Sequence, residues 1–323
     1  MPEPLLYGQS LCVAALVSLL VSLTAAAGRR PVSQRRQVLA ATLALTAGLV
    51  GGLWVLRWPV VWPPHNALDR LVTLLLPAAV LVELAAMSPR RLPVRGLRGA
   101  LALAAPLILL YRSVYLPAEL SGTGGARDWR STAGLLAGGA GLLLVLRLAL
   151  VRPALTRRAP GTVVACLAGA ILATGLAILL GGYLKGGSLA FPLAGTLLAT
   201  ALLTRWRFAG SSAVLISVGT VQLAGVVAIG HFFGRLQTVP AIVLLLAPVG
   251  CWVTELPRFR KLSAIRAGLL RCAIVAAVCL AVLAVAKRDF DRRMRPLLGR
   301  FSTSRPACHF VAAGSFQMWT APS

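Results

Sequence analysis

The chain has 323 residues, a mean hydropathy of +0.83 and a formal net charge of +25. Hydrophobic residues make up 58% of it and charged residues 13%; a soluble domain carries about twice that charge, so a water-soluble globular fold is excluded. The basic excess does not point to nucleic acid, because the arginines sit in pairs between apolar runs instead of gathering in one domain. That distribution encodes orientation in a membrane, and its expected partners are anionic lipid headgroups at the basic loops.

About 20 apolar residues cross the hydrocarbon core as a helix, and a helix satisfies its own backbone hydrogen bonds where water is absent. The expected fold is therefore an all-α polytopic bundle of about ten spans, filling residues 1–286. The spans are Leu5–Ala27, Val38–Arg57, Leu71–Met87, Gly99–Leu116, Thr132–Leu150, Thr162–Leu184, Leu189–Leu203, Ala213–Phe233, Val239–Leu256 and Leu262–Ala286. No Lys or Arg precedes the first span, and Arg29, Arg30, Arg35 and Arg36 follow it. A signal peptide has the reverse order, so this run reads as an uncleaved span with its N-terminus outside. The connections after odd-numbered spans hold 17 basic residues and those after even-numbered spans 7, which assigns the odd connections to the cytoplasm. Trp54, Trp58 and Trp62 at the far end of the second span fit an interfacial aromatic belt. The Arg, Ala, Gly and Leu bias suggests GC-rich bacterial DNA, and hence the inner membrane.

The third span, "LLLPAAVLVELAAM", places Glu83 six residues after Pro77. The ninth, "LLLAPVGCWVTEL", places Glu255 seven residues after Pro248. A carboxylate in an apolar span is costly, and a proline frees backbone groups one to two turns away. Two readings follow: each glutamate pairs with the arginines that follow it, such as Arg91 and Arg258, or each binds a proton, cation or substrate at a helix break. His65 and His231, at the ends of the second and eighth spans, and Gln222, inside the eighth, complete the candidate set. Gln222 equally suits a role as interhelical glue. Gly48/Gly52 and Gly134/Gly138 form G-x-x-x-G pairs suited to close helix packing.

The shared order His–Arg–Leu–Pro–Glu suggests that spans 1–4 and 7–10 are parallel repeats. The seventh span is the shortest and contains Pro192, so it is expected either to tilt little or to be locally broken. The tail, 287–323, is basic and expected to be poorly ordered. Its seven Lys and Arg fall on the outer side if the spans number ten, against the rule that orients the rest, so nine or eleven spans remain open.

Five of the six cysteines lie in apolar runs without a C-x-x-C pair, so no metal site and no cofactor are expected. Signatures of catalysis are absent: there is no H-E-x-x-H, phosphate loop or G-x-S-x-G. The functional classes left are transport of a small solute, proton- or cation-coupled; a scaffold or accessory subunit docking a membrane-protein partner; and, third, an intramembrane transferase acting on lipid-linked substrates.

Overall fold

The computed structural model describes residues 4–26, 33–87, 94–113, 115–116, 129–155, 160–204, 211–259 and 262–303. The described residues are helical, with no strand among them. In chain order the helices are α1 (Pro4–Ala26), α2 (Gln34–Val55), α3 (Ala67–Arg70), a π-helical turn (Leu71–Leu75), α4 (Leu76–Ala85), α5 (Val94–Leu110), α6 (Trp129–Leu155) and α7 (Pro160–Leu180). There follow α8 (Leu184–Ser188), α9 (Ala190–Thr204), α10 (Ser212–Phe232), α11 (Thr238–Leu246), a 3-10 helix (Ala247–Glu255), a 3-10 turn (Pro257–Phe259) and α12 (Ala264–Thr303).

Eight segments are long and apolar enough to cross a membrane, and the chain is a multi-pass membrane protein. The third and fourth expected spans fall short as single helices. One is interrupted by the π turn, and the other, α5, has 17 residues. The exterior is apolar, with Leu20, Leu43, Val50, Leu81, Val145 and Leu269 exposed, as contact with lipid tails requires.

Several boundaries differ from those expected. Helix α5 begins at Val94, five residues early, so Arg95 and Arg98 belong to a helix and not to a loop. Pro192 stands in the first turn of α9, where a missing N–H costs nothing, and the span Leu184–Leu203 is locally interrupted at Leu189, between α8 and α9. Helix α12 continues across position 286 to Thr303. The loop arginines Arg29, Arg90, Arg91, Arg157 and Arg205, with Cys308 and the last 20 residues, lie outside the described residues.

Helices α7, α9 and α10 form the buried centre, while α1, α6 and α12 lie on the periphery. Between apolar helices in lipid, close approach and polar bonds do the binding. At Gly48 a Cβ would sit 1.9 Å from Ser18 Oγ, and at Gly52 it would sit 2.5 Å from Pro192 Cβ. Only glycine admits α1 and α9 this closely. Ser10 and Ser18 of α1 then donate to the carbonyls of Gly52 and Ala44 on α2, at 2.8 Å each. The second G-x-x-x-G pair is different. A Cβ at Gly134 or Gly138 of α6 would meet nothing within 4 Å, so that pair packs against no helix among the described residues.

Candidate functional site

Pro77 has no N–H to give the carbonyl four residues back, and its ring crowds that carbonyl. The π turn over Leu71–Leu75 widens the helix just before it, and regular α-helix resumes at Leu76. Glu83 then points inward and is 1% exposed. Its Oε1 accepts from Arg98 Nε at 2.9 Å and from Ser217 Oγ at 2.6 Å, and its Oε2 accepts from Arg98 Nη2 at 2.5 Å. Arg147 Nη2 lies 3.8 Å from Oε1, and Arg147 Nε donates to Ser217 Oγ at 2.9 Å. Helices α4, α5, α6 and α10 thus meet at one carboxylate and two guanidiniums. The serine hydroxyl relays Arg147 to Glu83.

Glu255 ends the nine-residue 3-10 helix that begins beside Pro248. Runs of this helix longer than three or four residues are uncommon. Arg271 of α12 is fully buried and donates from Nη2 to Glu255 Oε1 at 2.8 Å, from Nε to Thr254 Oγ1 at 2.7 Å and from Nη1 to Thr162 Oγ1 at 3.4 Å. Trp252 Nε1 donates to the Ala149 carbonyl at 2.6 Å, which ties the same segment to α6.

The expected pairing of Glu255 with the flanking Arg258 is therefore corrected, while Arg91 lies outside the described residues. Arg258 is exposed, and among the described residues the glutamates pair with Arg98, Arg147 and Arg271. Arg147 and Arg271 carried a signal of their own. An arginine inside an apolar span is as costly as a glutamate there, so each demands a counterion. Among the described residues each glutamate belongs to its own cluster, and neither lines the apolar groove or three further pockets.

His65 and His231 lie at the opposite ends of the helices from the glutamates. His231 Nδ1 is 3.0 Å from the Leu236 carbonyl, which can only accept, so Nδ1 carries the hydrogen. Its ring borders a groove of about 240 Å³ between α5, α6, α10 and α11. The wall is apolar (Pro106, Leu109, Gly139, Leu142, Ala228), with His231 and Thr238 as its polar members. Leu142 and Ile242, both exposed, open the groove to the lipid side.

His65 is exposed on a second pocket, with Arg70, Tyr111, Arg112, Tyr183 and Lys185. Gln222 is 3% exposed and buried in α10, and its Oε1 has no hydrogen-bond partner. The five candidates thus fall into five places: two ion clusters at one end, a groove and a pocket at the other, and Gln222 between.

Cys166 Sγ lies 4.0 Å from Cys272 Sγ, which the sequence spacing did not announce. Among the described residues no group of three His, Cys, Asp or Glu is arranged to hold a metal ion. No family model, curated protein or solved structure matches the chain.

Proposed function

We propose that this chain is a permease-like transporter for a largely apolar solute, with the Glu83 cluster as the latch that closes one end of its path. One observation carries the reading. Helices α5, α6 and α10 line the groove in their histidine-end halves and are clamped together by Glu83, Arg98, Arg147 and Ser217 in their other halves. An open groove over a closed ion-pair latch is what one state of an alternating-access cycle requires. At about 240 Å³ the groove is narrower than the ~300–1,000 Å³ of sites for drug-sized ligands, and it suits a hydrocarbon chain. The π turn and Pro77 supply the hinge, since backbone hydrogen bonding is least regular there. A proton arriving at Glu83 would discharge the latch, and coupling to a cation gradient would act at this point. The latch end is cytoplasmic by its basic connections, so a periplasm-only reporter fused near Pro64 should be active and one fused at Arg258 silent.

The test is a distance measurement. Spin labels at Arg95 of α5 and Arg152 of α6, both exposed at the latch end, are introduced in a background without native cysteines. The latched protein should give one narrow distance distribution, and Glu83→Gln should add a second, longer population. A narrow distribution unchanged by Glu83→Gln refutes the latch.

A docking scaffold is the second reading. It is favoured by the exposed glycine stripe Gly134, Gly138 and Gly141 on α6, where an added Cβ meets nothing. Stripes of this kind let another transmembrane helix approach closely. A transferase is supported less, because the described histidines and the two glutamates sit at opposite ends of the bundle.

A further inference from the structure

The face opposite the latch is poor in positive charge, with 7 basic residues in its connections. Three of them, Arg70, Arg112 and Lys185, come from three different connections and converge on one pocket of about 280 Å³. Among the described residues none of the three has a carboxylate within ion-pairing distance. Arg70 is 5% exposed, and its guanidinium donates to two backbone carbonyls, those of Tyr111 and His65. Burial and the neighbouring Arg112 push the Arg70 pKa down, against smaller opposing effects of Tyr111 and of the adjacent Asp69. Cations that converge with no ion-pairing carboxylate among the described residues suit an anionic ligand. Arg112 also holds a left-handed backbone, φ 55, which is costly for a residue with a Cβ. Lys185 stands 5.4 Å over the Trp58 ring, on the wall it shares with a neighbouring pocket. Tyr183 and Asn66 add a hydroxyl and an amide to the same walls.

This pocket backs directly onto the apolar groove. Leu110 lines the groove and Tyr111 the pocket; Phe232 lines the groove and Phe233 the pocket. Consecutive Cα atoms are about 3.8 Å apart, so the two cavities are neighbours at the ends of α5 and α10, within the length of one amphiphile. We propose that groove and pocket form a single site for a phosphate-bearing lipid, its phosphate among Arg70, Arg112 and Lys185 and its hydrocarbon chain along Pro106, Gly139 and Ala228. The proposal rests on the reading of the groove as a solute path and names the class of solute. The headgroup is recognised by charge and by the Tyr183 and Asn66 donors. The chain is recognised by burial alone, so chain identity should matter little and headgroup charge a great deal.

The test uses the full-length protein in a neutral detergent. Native mass spectrometry measures binding of dioleoyl phosphatidic acid, of dioleoylglycerol with the same chains but no phosphate, and of inorganic phosphate. Phosphatidic acid should bind at least tenfold more tightly than dioleoylglycerol. Arg112→Gln and Lys185→Gln, both at exposed positions, should each weaken phosphatidic acid about fivefold, the effect of one interfacial cation, and leave dioleoylglycerol unchanged. Ala228→Trp, which fills the groove, should weaken both lipids. Equal binding of the two lipids overturns the phosphate pocket while the groove stands. Inorganic phosphate that displaces phosphatidic acid completely, at the same concentration, makes the pocket a free-anion site and overturns the amphiphile. If neither lipid binds while Glu83→Gln still yields two distance populations, the lipid assignment fails and the latch survives.

Discussion

The buried pair Arg271–Glu255 makes an asymmetric prediction. Arg271 is fully buried, seven residues into α12, whereas the Glu255 side chain is 23% exposed at the end of its helix. Glu255→Gln removes the carboxylate that a fully buried guanidinium pairs with, and taking one partner from a buried ion pair costs about 3–5 kcal/mol. Thr254 and Thr162 still accept hydrogen bonds from it but supply no charge. Arg271→Met leaves a carboxylate with access to the interface and two threonines that can find other partners, at a cost of about 1–2 kcal/mol. The double variant removes both charges and should fall within about 1 kcal/mol of the parent, as substitution of buried pairs by apolar groups often does. Equilibrium unfolding of the purified protein in mixed micelles of increasing dodecyl sulfate content, read by tryptophan fluorescence, gives the three free energies. The double-mutant cycle should then show a coupling of at least about 3 kcal/mol. Equal losses in the two single variants would refute the argument from burial. A double variant as unstable as the sum of the singles would show that the two groups do not act as a pair.

Pro77→Ala should restore a regular helix through Leu71–Leu75, and removing the extra residue of the π turn rotates the following α4 by about 100°. Glu83 would leave its cluster, and the label pair at Arg95 and Arg152 should show the longer distance population with the glutamate intact. The glycines divide by contact: Gly52→Leu should destabilise by about 1–3 kcal/mol or more through overpacking against Pro192, and Gly138→Leu should leave unfolding unchanged. If Gly138→Leu also collapses a larger assembly to a single chain on a native gel, the glycine stripe of α6 is a docking face.

The helices were legible because each is a single apolar run, and a run fixes its own secondary structure in lipid. Prolines 77 and 248 were legible as interruptions for the same local reason. The kind of interruption was not: one became a π turn and the other a 3-10 helix, and that choice depends on what α4 and α11 pack against. Glu83 and Glu255 stood out because eight carboxylates in 323 residues make each one conspicuous. Their partners did not, because 33 basic residues offer many candidates and the correct ones lie on other helices. Arg98 was hidden by reading it as a loop residue, a five-residue error in where α5 begins. The gathering of Arg70, Arg112 and Lys185 was invisible in the sequence, since residues in three separate connections meet only once the helices between them are placed.

The 3-10 helix at Ala247–Glu255 has a consequence for reach. An α-helix rises about 1.5 Å per residue and a 3-10 helix about 2.0 Å. Thr238–Glu255 contains 18 residues, nine in each form. Wholly α-helical, it would extend about 27 Å; as built, it extends about 31 Å, the thickness of a typical hydrocarbon core. The tighter winding stretches a segment otherwise too short for the bilayer and delivers Glu255 to the level of Arg271. A sequence insertion of two or three residues would have spanned the same gap, at the cost of turning Glu255 to another face.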